Sequence, residues 1–530
     1  MNVQYTPTPI LARRFCEIIH DLLPHCQSSM NAKLVLAALP LVVAHAYAAP
    51  PVRSGLEQIQ TVVILYGENR SFDNLYGLFP GANGVAQARP EDGAVQRDRD
   101  GSVLATLPPV WKKQKGAPVA DPRYPAALPN APFQLDAPPI GLLLSQPTRD
   151  LVHRYYQNRM QIDGGRNDMF VAWSDAGALT MGHYDGARLP LWQLARQYTL
   201  ADNFFMGAFG GSFMNHIWLV CACVGADPNA PETRRAKVGP DGRLLFKEGS
   251  PARAADGPPK LQDGEFTPDG YAVNTVSPPF QPSDVAPAPG GDPRFADATK
   301  GVLPPQTART IGDTLSDKHV SWKWYAGGFT AALQDPKNIY DEDGPINFQP
   351  HHQPFNYFLR YAPGTPERAD HLKDGTDFFA DIAAGSLPQV AFYKPQGHLN
   401  EHPGYADVLE GDMHLADIVR KLQASPQWKH MAIIVTYDEN GGFWDHAAPP
   451  KADRWGPGSR IPAIIISPYA KRGHVDHTLY DTTSILKFLT RRFNLEPLPG
   501  VRAQMGDLSG AFAFKTSRKH KRLHRAHTRR

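Results

Sequence analysis

Cysteine is scarce, with four in 530 residues, and this excludes the small secreted scaffolds that disulfides hold together. Cys16 and Cys26 precede the signal-peptide pattern that starts at Met30, so Cys221 and Cys223 alone would remain. A pair separated by one residue is awkward to bridge, and core packing is its expected role. Long apolar runs are also missing. The stretch from Leu34 to Val43 is well short of the ~20 residues that cross a bilayer, which argues against a retained membrane anchor. No internal repeat, P-loop, zinc-protease helix or nucleophile elbow is present, so those routes to chemistry are closed. Net charge is small at +3 overall, and the positive excess lies in the last sixteen residues, which hold eight Lys or Arg and no acid. The body is therefore mildly acidic and not suited to nucleic acid. Residues 513–530 are read as a basic, solvated tail.

What is present suits a large folded domain, since 42% of the residues are hydrophobic and 20% charged. From Met30 the chain runs MNAKLVLAALPLVVAHAYAAP, with a Lys, an apolar stretch and the small-residue exit Ala46-Tyr47-Ala48. Residues 30–48 are a signal peptide by this pattern, cleaved after Ala48, and the product is expected to be periplasmic or secreted. Residues 1–29 form an upstream extension of the kind a start codon assigned too early produces. Its Arg13-Arg14-Phe15 hints at twin-arginine export, but Glu17 and Asp21 interrupt the apolar run that should come next. Residues 49–512 are expected to form one large folded domain.

Within that domain Thr61–Tyr66, Val390–Tyr393, Met431–Tyr437 and Ile461–Ser467 are short, continuous, β-branched apolar runs, the pattern of strands buried on both faces. Leu415, Ile418, Val419 and Leu422 line one face of a helix between two of them, and Asp481 can cap another helix. This alternation predicts an α/β fold with a mostly parallel central sheet. The Pro- and Gly-rich stretches Phe79–Pro139 and Pro228–Gln306 are predicted to be loop-rich insertions.

Glu68-Asn69 follows the first strand and Asp438-Glu439 the third. Ligands in open α/β sheets sit beyond the carboxyl ends of strands, so both pairs would reach one edge. Three carboxylates so placed repel unless a cation neutralises them, and a divalent metal with oxygen ligands is the simplest resolution. The bland alternative is loop carboxylates in water. His153, His351, His352, His398 and His402 lie in loops and suit phosphate binding or proton transfer beside such a site. Asp73, Asp202, Asp445 and His446 divide between chemistry and fixing loops. Trp322 and Trp324 are expected in the core or a pocket wall.

The segments VVILYGENRSFDNLYGLFPG, IDGGRNDMF, LPLWQLARQYTLADNFF, GGSFMNH, YAVNTVSPPF, IGDTLSDKHVSWKWY, EHPGYAD and VTYDENGGFWDHAAPP run from Thr61 to the region of Phe493. Their order resembles the phosphoesterase family that unites bacterial phospholipases C with respiratory-burst-inhibiting acid phosphatases. The resemblance implies an alkaline-phosphatase-like core in which Glu68, Asn69, Asp438, Glu439 and Ser212 hold one divalent metal ion. It also implies Ser212 as nucleophile, His153 and His402 as catalytic groups, and Asn274, His351 and His352 as substrate-binding groups.

Where phospholipases C of the family present Gly-Pro-Thr-His-Pro-Asn-Arg, this chain has Gly210-Gly211-Ser212-Phe213-Met214-Asn215. Serine is the acid-phosphatase choice, and the chain ends soon after Phe493, without the C-terminal β domains of many phospholipases C. The first expectation is therefore an acid phosphatase acting on small phosphomonoesters through a phosphoserine, with a rate maximum below neutrality where histidines charge. Its alternative is a phospholipase C acting on phospholipid head groups. A third, a non-catalytic exported binding protein, sits poorly with an intact nucleophile and metal set.

Overall fold

The computed structural model describes residues 55–514; the signal peptide, the upstream extension and nearly all of the basic tail lie outside them. Eight strands form the main sheet: β1 Thr61–Gly67, β2 Thr199–Ala201, β3 Trp322–Ala326, β4 Leu372–Asp374, β5 Val390–Lys394, β6 Met431–Tyr437, β7 Ala463–Ile466 and β8 His474–Asp476. Their order is β8-β2-β7-β6-β1-β5-β3-β4. β1 lies between β6 and β5, parallel to both, and β7 alone runs against its neighbours. All seven residues of β1 and of β6 are buried, as strands covered on both faces require.

The four expected strands are present, with β7 narrower than its apolar run. The other four were not foreseen: β2, β4 and β8 have three residues each, too few to show a period, and Lys323 interrupts the apolar sequence of β3. Trp322 and Trp324 of that strand are core residues.

Four of the longer helices are α1 Tyr155–Ile162, α2 Ser212–Cys221, α3 Val408–Ala424 and α4 Thr482–Phe493. α3 buries Leu415, Ile418, Val419 and Leu422, and the Asp407 carboxylate caps its first turn at Glu410 N. Asp481 caps α4 at Thr483 N. In the second insertion the chain between α2 and residue 306 forms no helix beyond single 3-10 turns and is tied by isolated bridges such as Phe246 with Leu261 and Phe280 with Phe295.

Cys221 and Cys223 are bonded to each other, contrary to the packing role expected of them. Ala222 explains how: as the residue ending α2 it turns left-handed at φ 47°, which reverses the chain and leaves the two Cα atoms 5.1 Å apart.

On α3, Asp412 accepts a hydrogen bond from Leu191 N at 2.9 Å, while its other oxygen is buried without a partner. Burial pushes this carboxyl up to about 7. In the unfolded chain it ionises near 4, so folding takes up a proton between about pH 4 and 7, and stability falls as pH rises through that window. Asp412→Asn keeps the acceptor and removes the titration. Its stability relative to wild type should rise by about 1.4 kcal/mol per pH unit between about pH 5 and 7. Denaturant unfolding across that range checks this; a pH-independent difference would remove the assignment.

Candidate active site

The sheet delivers Glu68 and Asn69 from the end of β1 and Asp438 and Glu439 from the end of β6, all four fully buried. Asn69 adopts φ 62°, a left-handed conformation that asparagine tolerates, and its N–H donates to Asp438 Oδ1 at 3.0 Å. Asp438 Oδ1 also accepts from Glu439 N at 2.8 Å, whereas Oδ2 accepts no hydrogen bond and stands 3.8 Å from His216 Nδ1. Ser212 opens α2, and its hydroxyl lies 3.2 Å from Asn69 Oδ1 and 3.4 Å from Glu439 Oε1. At 6% exposure it is the member of this group that solvent reaches.

Close contact between the two loops depends on glycine. Gly441 has φ 61°, and a Cβ there would stand 2.2 Å from Asn69 O. Gly441→Ala should therefore cost on the order of 2 kcal/mol by forcing the loops apart and straining the backbone. It should also weaken metal retention. Thermal unfolding and metal analysis of the variant check both effects; an unchanged melting temperature would show that the loops give freely.

Glu68 is held differently. Oε1 meets Lys394 Nζ at 3.0 Å and lies against His352 Nε2, while Oε2 accepts from Asn400 Nδ2 at 2.8 Å and Tyr405 OH at 3.0 Å. Burial works against its charge, but contact with the His352 ring and the Lys394 ammonium outweighs burial and holds the carboxyl well below its usual range. Asp438 and Glu439 have only more distant partners, His216 Nδ1 at 3.8 Å from Asp438 Oδ2 and His153 Nε2 at 3.7 Å from Glu439 Oε1. Burial pushes Asp438 up to about 6, helped by Glu68, and holds Glu439 well above its usual range. Two buried carboxylates raised in this way, with Asp438 Oδ2 accepting no hydrogen bond, fit a site built to receive a cation.

Histidines surround this group. His153 Nε2 stands 3.4 Å from Asn69 Nδ2 and 3.7 Å from Glu439 Oε1, and its Nδ1 donates to Leu151 O at 2.6 Å. Burial opposes its charge, but Glu439 and Asp150 outweigh burial and raise it to about 9. His402 packs against His153 with ring centres 5.5 Å apart. His351 faces the cavity, and His352 lies deeper against Glu68. Burial lowers His351, His352 and His402, with His352 at about 4. Burial therefore works against charging all three, and the expected rate maximum below neutrality loses that support.

Asn274 lines the same cavity, but its side chain is committed to Tyr155 N and Gly264 O. His398 is not part of the group, since both ring nitrogens meet backbone oxygens of Tyr405 and Gly344. The cavity measures about 440 Å³. Ser212, His153, His351, His402 and Asn274 line it together with the apolar Leu151, Val152, Phe213, Met214 and Val273.

Asp73, Asp445 and His446 form a separate buried cluster around Arg460. The guanidinium meets Asp445 at 3.0 Å and Asp73 at 3.1 Å, and donates to the carbonyls of Asn83 and Asp202. Asp445 Oδ2 accepts from Asp73 N, and Asp73 Oδ2 accepts from His446 N. The cluster ties the loop after β1 to the loop after β6.

Sequence reasoning missed four residues here. His216 stands four residues after Ser212, one turn along α2, a spacing that places both on one helix face. Lys394 ends β5, the position at which Glu68 and Asp438 drew notice. Asn400 and Tyr405, which bind Glu68, carried no signal of their own.

The Phosphoesterase family model matches residues 59–496 of this chain. Phospholipase C B of Mycobacterium tuberculosis is 26% identical over 514 residues, covering 89% of this chain and 81% of its own length. Phospholipase C A of the same organism is 27% identical over 516 residues, covering 90% and 81%. The non-hemolytic phospholipase C of Burkholderia pseudomallei is 26% identical, covering 91% of this chain and 63% of its own length. Among solved structures, an alkaline phosphatase superfamily protein from Vibrio parahaemolyticus is 11% identical with a TM-score of 0.30, covering 71% of this chain and 75% of that one.

Proposed function

Since the chain belongs to the Phosphoesterase family, we propose that it is an exported phospholipase C that cleaves the head-group phosphodiester of phospholipids through Ser212. The coarser statement, a phosphoric ester hydrolase, follows from the family. The finer one is supported by the likeness to phospholipases C over about nine-tenths of the chain. The cavity agrees with it: Phe213, Met214, Leu151 and Val152 offer an apolar wall to a second substituent on phosphorus.

Asn69, Asp438, Glu439 and Ser212, with Glu68 beside them, are the residues that would hold one divalent metal ion. Bound there, the ion supplies positive charge that favours the serine alkoxide and the developing charge on phosphorus. Ser212 Oγ gives up its proton to solvent and attacks phosphorus, and the bond to the diacylglycerol oxygen breaks, leaving the phosphorylated head group on the serine. His153 is placed to give the leaving alcohol its proton. Water then cleaves the serine ester and releases the phosphorylated head group. His351 and His402 orient phosphoryl oxygens, and Asn274, through its bonds to Tyr155 N and Gly264 O, shapes the wall between them.

A hydrolysis panel decides the matter. Phosphatidylcholine should give a higher kcat/KM than a simple aryl phosphate. The reverse order would assign the chain to the acid phosphatases, the reading that Ser212 itself favours. No hydrolysis of either would remove both. Export is part of the proposal, and N-terminal sequencing of protein recovered outside the cytoplasm should begin near Ala49. Recovery of chains that begin at Met1 or Met30 would refute the processing.

A further inference from the structure

Lys394 is fully buried, and its Nζ lies 3.0 Å from Glu68 Oε1 and 3.3 Å from Gly67 O. A buried ammonium is expensive and persists only where a counter-charge holds it. Around the same Glu68 oxygen stand two imidazoles. His216 Nδ1 donates to Ser212 O at 2.8 Å, which leaves the lone pair on Nε2, and that nitrogen is buried without a partner. His352 Nε2 is buried in contact with Glu68 Oε1 itself. The rings of His216 and His352 stack with centres 5.2 Å apart, and Trp324 Nε1 fixes the second by donating to His352 O at 2.8 Å. Ligand atoms of Glu68, His216 and His352 lie within 4.8 Å of one another. One carboxylate oxygen and two imidazole nitrogens are a donor set for a transition metal.

A metal ion and the lysine compete for this place. An ion bound to Glu68 Oε1 would lie within a few ångströms of an ammonium that contacts the same oxygen, and like charges at that range in a dry interior repel strongly. The charge count points the same way. Glu68, Asp438 and Glu439 contribute three negative charges; one divalent ion, the ammonium and the His153 imidazolium exceed them by one, whereas a second divalent ion would raise the excess to three.

We propose that the Lys394 ammonium is a built-in cation standing in for a second metal ion, and that Glu68, His216 and His352 become a transition-metal site when it is removed. This rests on the metal centre assigned above at Asn69, Ser212, Asp438 and Glu439.

The test is metal stoichiometry of the full chain after equilibration with Zn²⁺ and removal of free ion. Wild type should hold one ion, Lys394→Met two, and Lys394→Met with His216→Ala one again. Lys394→Arg, which keeps the charge, should hold one. With Co²⁺ in place of Zn²⁺, the Lys394→Met protein should gain visible absorption from the nitrogen-ligated ion. Two ions in wild type, or one in Lys394→Met, would overturn the inference and leave the primary centre standing. No ion in wild type would remove the primary centre and this inference with it. If Lys394→Met fails to accumulate, His216→Ala in the otherwise native chain decides. It should keep its one ion, and loss of that ion would show that His216 already serves as a ligand.

Discussion

Ser212→Ala is expected to lower kcat on the order of 10⁴-fold or more while leaving the fold unchanged. The hydroxyl is the nucleophile in the proposed reaction, and no other hydroxyl or thiol lines the cavity with contacts to both Asn69 and Glu439 among the described residues. Stability should hardly change. Gly211, not Ser212, is the residue that caps α2, so the substitution removes no cap, and alanine suits a first-turn position. The change in unfolding free energy should stay within about 0.5 kcal/mol. Single-turnover assays on the better substrate from the hydrolysis panel, with thermal unfolding alongside, measure both quantities. A variant that keeps a tenth of wild-type turnover would mean that water, or another group, attacks phosphorus directly.

Arg460→Met is expected to destabilise the protein by about 3–5 kcal/mol, the range for removing one partner from a buried ion pair. Its guanidinium is fully buried and is the cation shared by Asp73 and Asp445. Without it the two carboxylates face each other with only His446 for compensation. Asp445 is already pushed up to about 6 by burial. Losing Arg460 removes the charge that most opposes that rise, so the variant should take up a proton on folding at higher pH than wild type does. Because the cluster ties together the loops that carry Asn69 and Asp438, metal affinity should fall as well. Denaturant unfolding with and without added metal separates the two effects, and a loss below about 1 kcal/mol would show that the cluster is solvated in practice.

Much of the sheet could be read from the sequence because β1, β5 and β6 are buried on both faces and so carry unbroken apolar runs. The three-residue strands could not, since their pairing is imposed by neighbours and not by a pattern of their own. The same division holds at the site. Asn69, Ser212 and Glu439, placed together by the resemblance, lie within hydrogen-bonding distance around the serine hydroxyl. What remained hidden was how the charges are shared. Glu68, grouped with the other carboxylates by its place after a strand, spends its two oxygens on Lys394, Asn400 and Tyr405, which come from β5 and the loop beyond it. Protonation was equally illegible. Loop position suggested histidines that charge in mild acid, whereas burial lowers His351, His352 and His402 and leaves His153 alone raised. The bond between Cys221 and Cys223 depended on the left-handed turn at Ala222, which spacing does not reveal.

The position of β1 has a kinetic consequence. Its register partners are Val390–Tyr393 on one side and Met431–Tyr437 on the other, more than 300 residues further along the chain. Contacts so distant in sequence pay their loop-closure entropy before they return anything, which makes folding slow. During synthesis β1 is among the first parts of the domain to appear and among the last to be paired. Until then its run TVVILYG, apolar and rich in β-branched residues, has both edges open and can pair with another chain as readily as with its own. The strand that delivers Glu68 and Asn69 is therefore also a segment through which this chain is exposed to aggregation, and a factor that shields it until residue 437 has been made would raise the yield of folded protein.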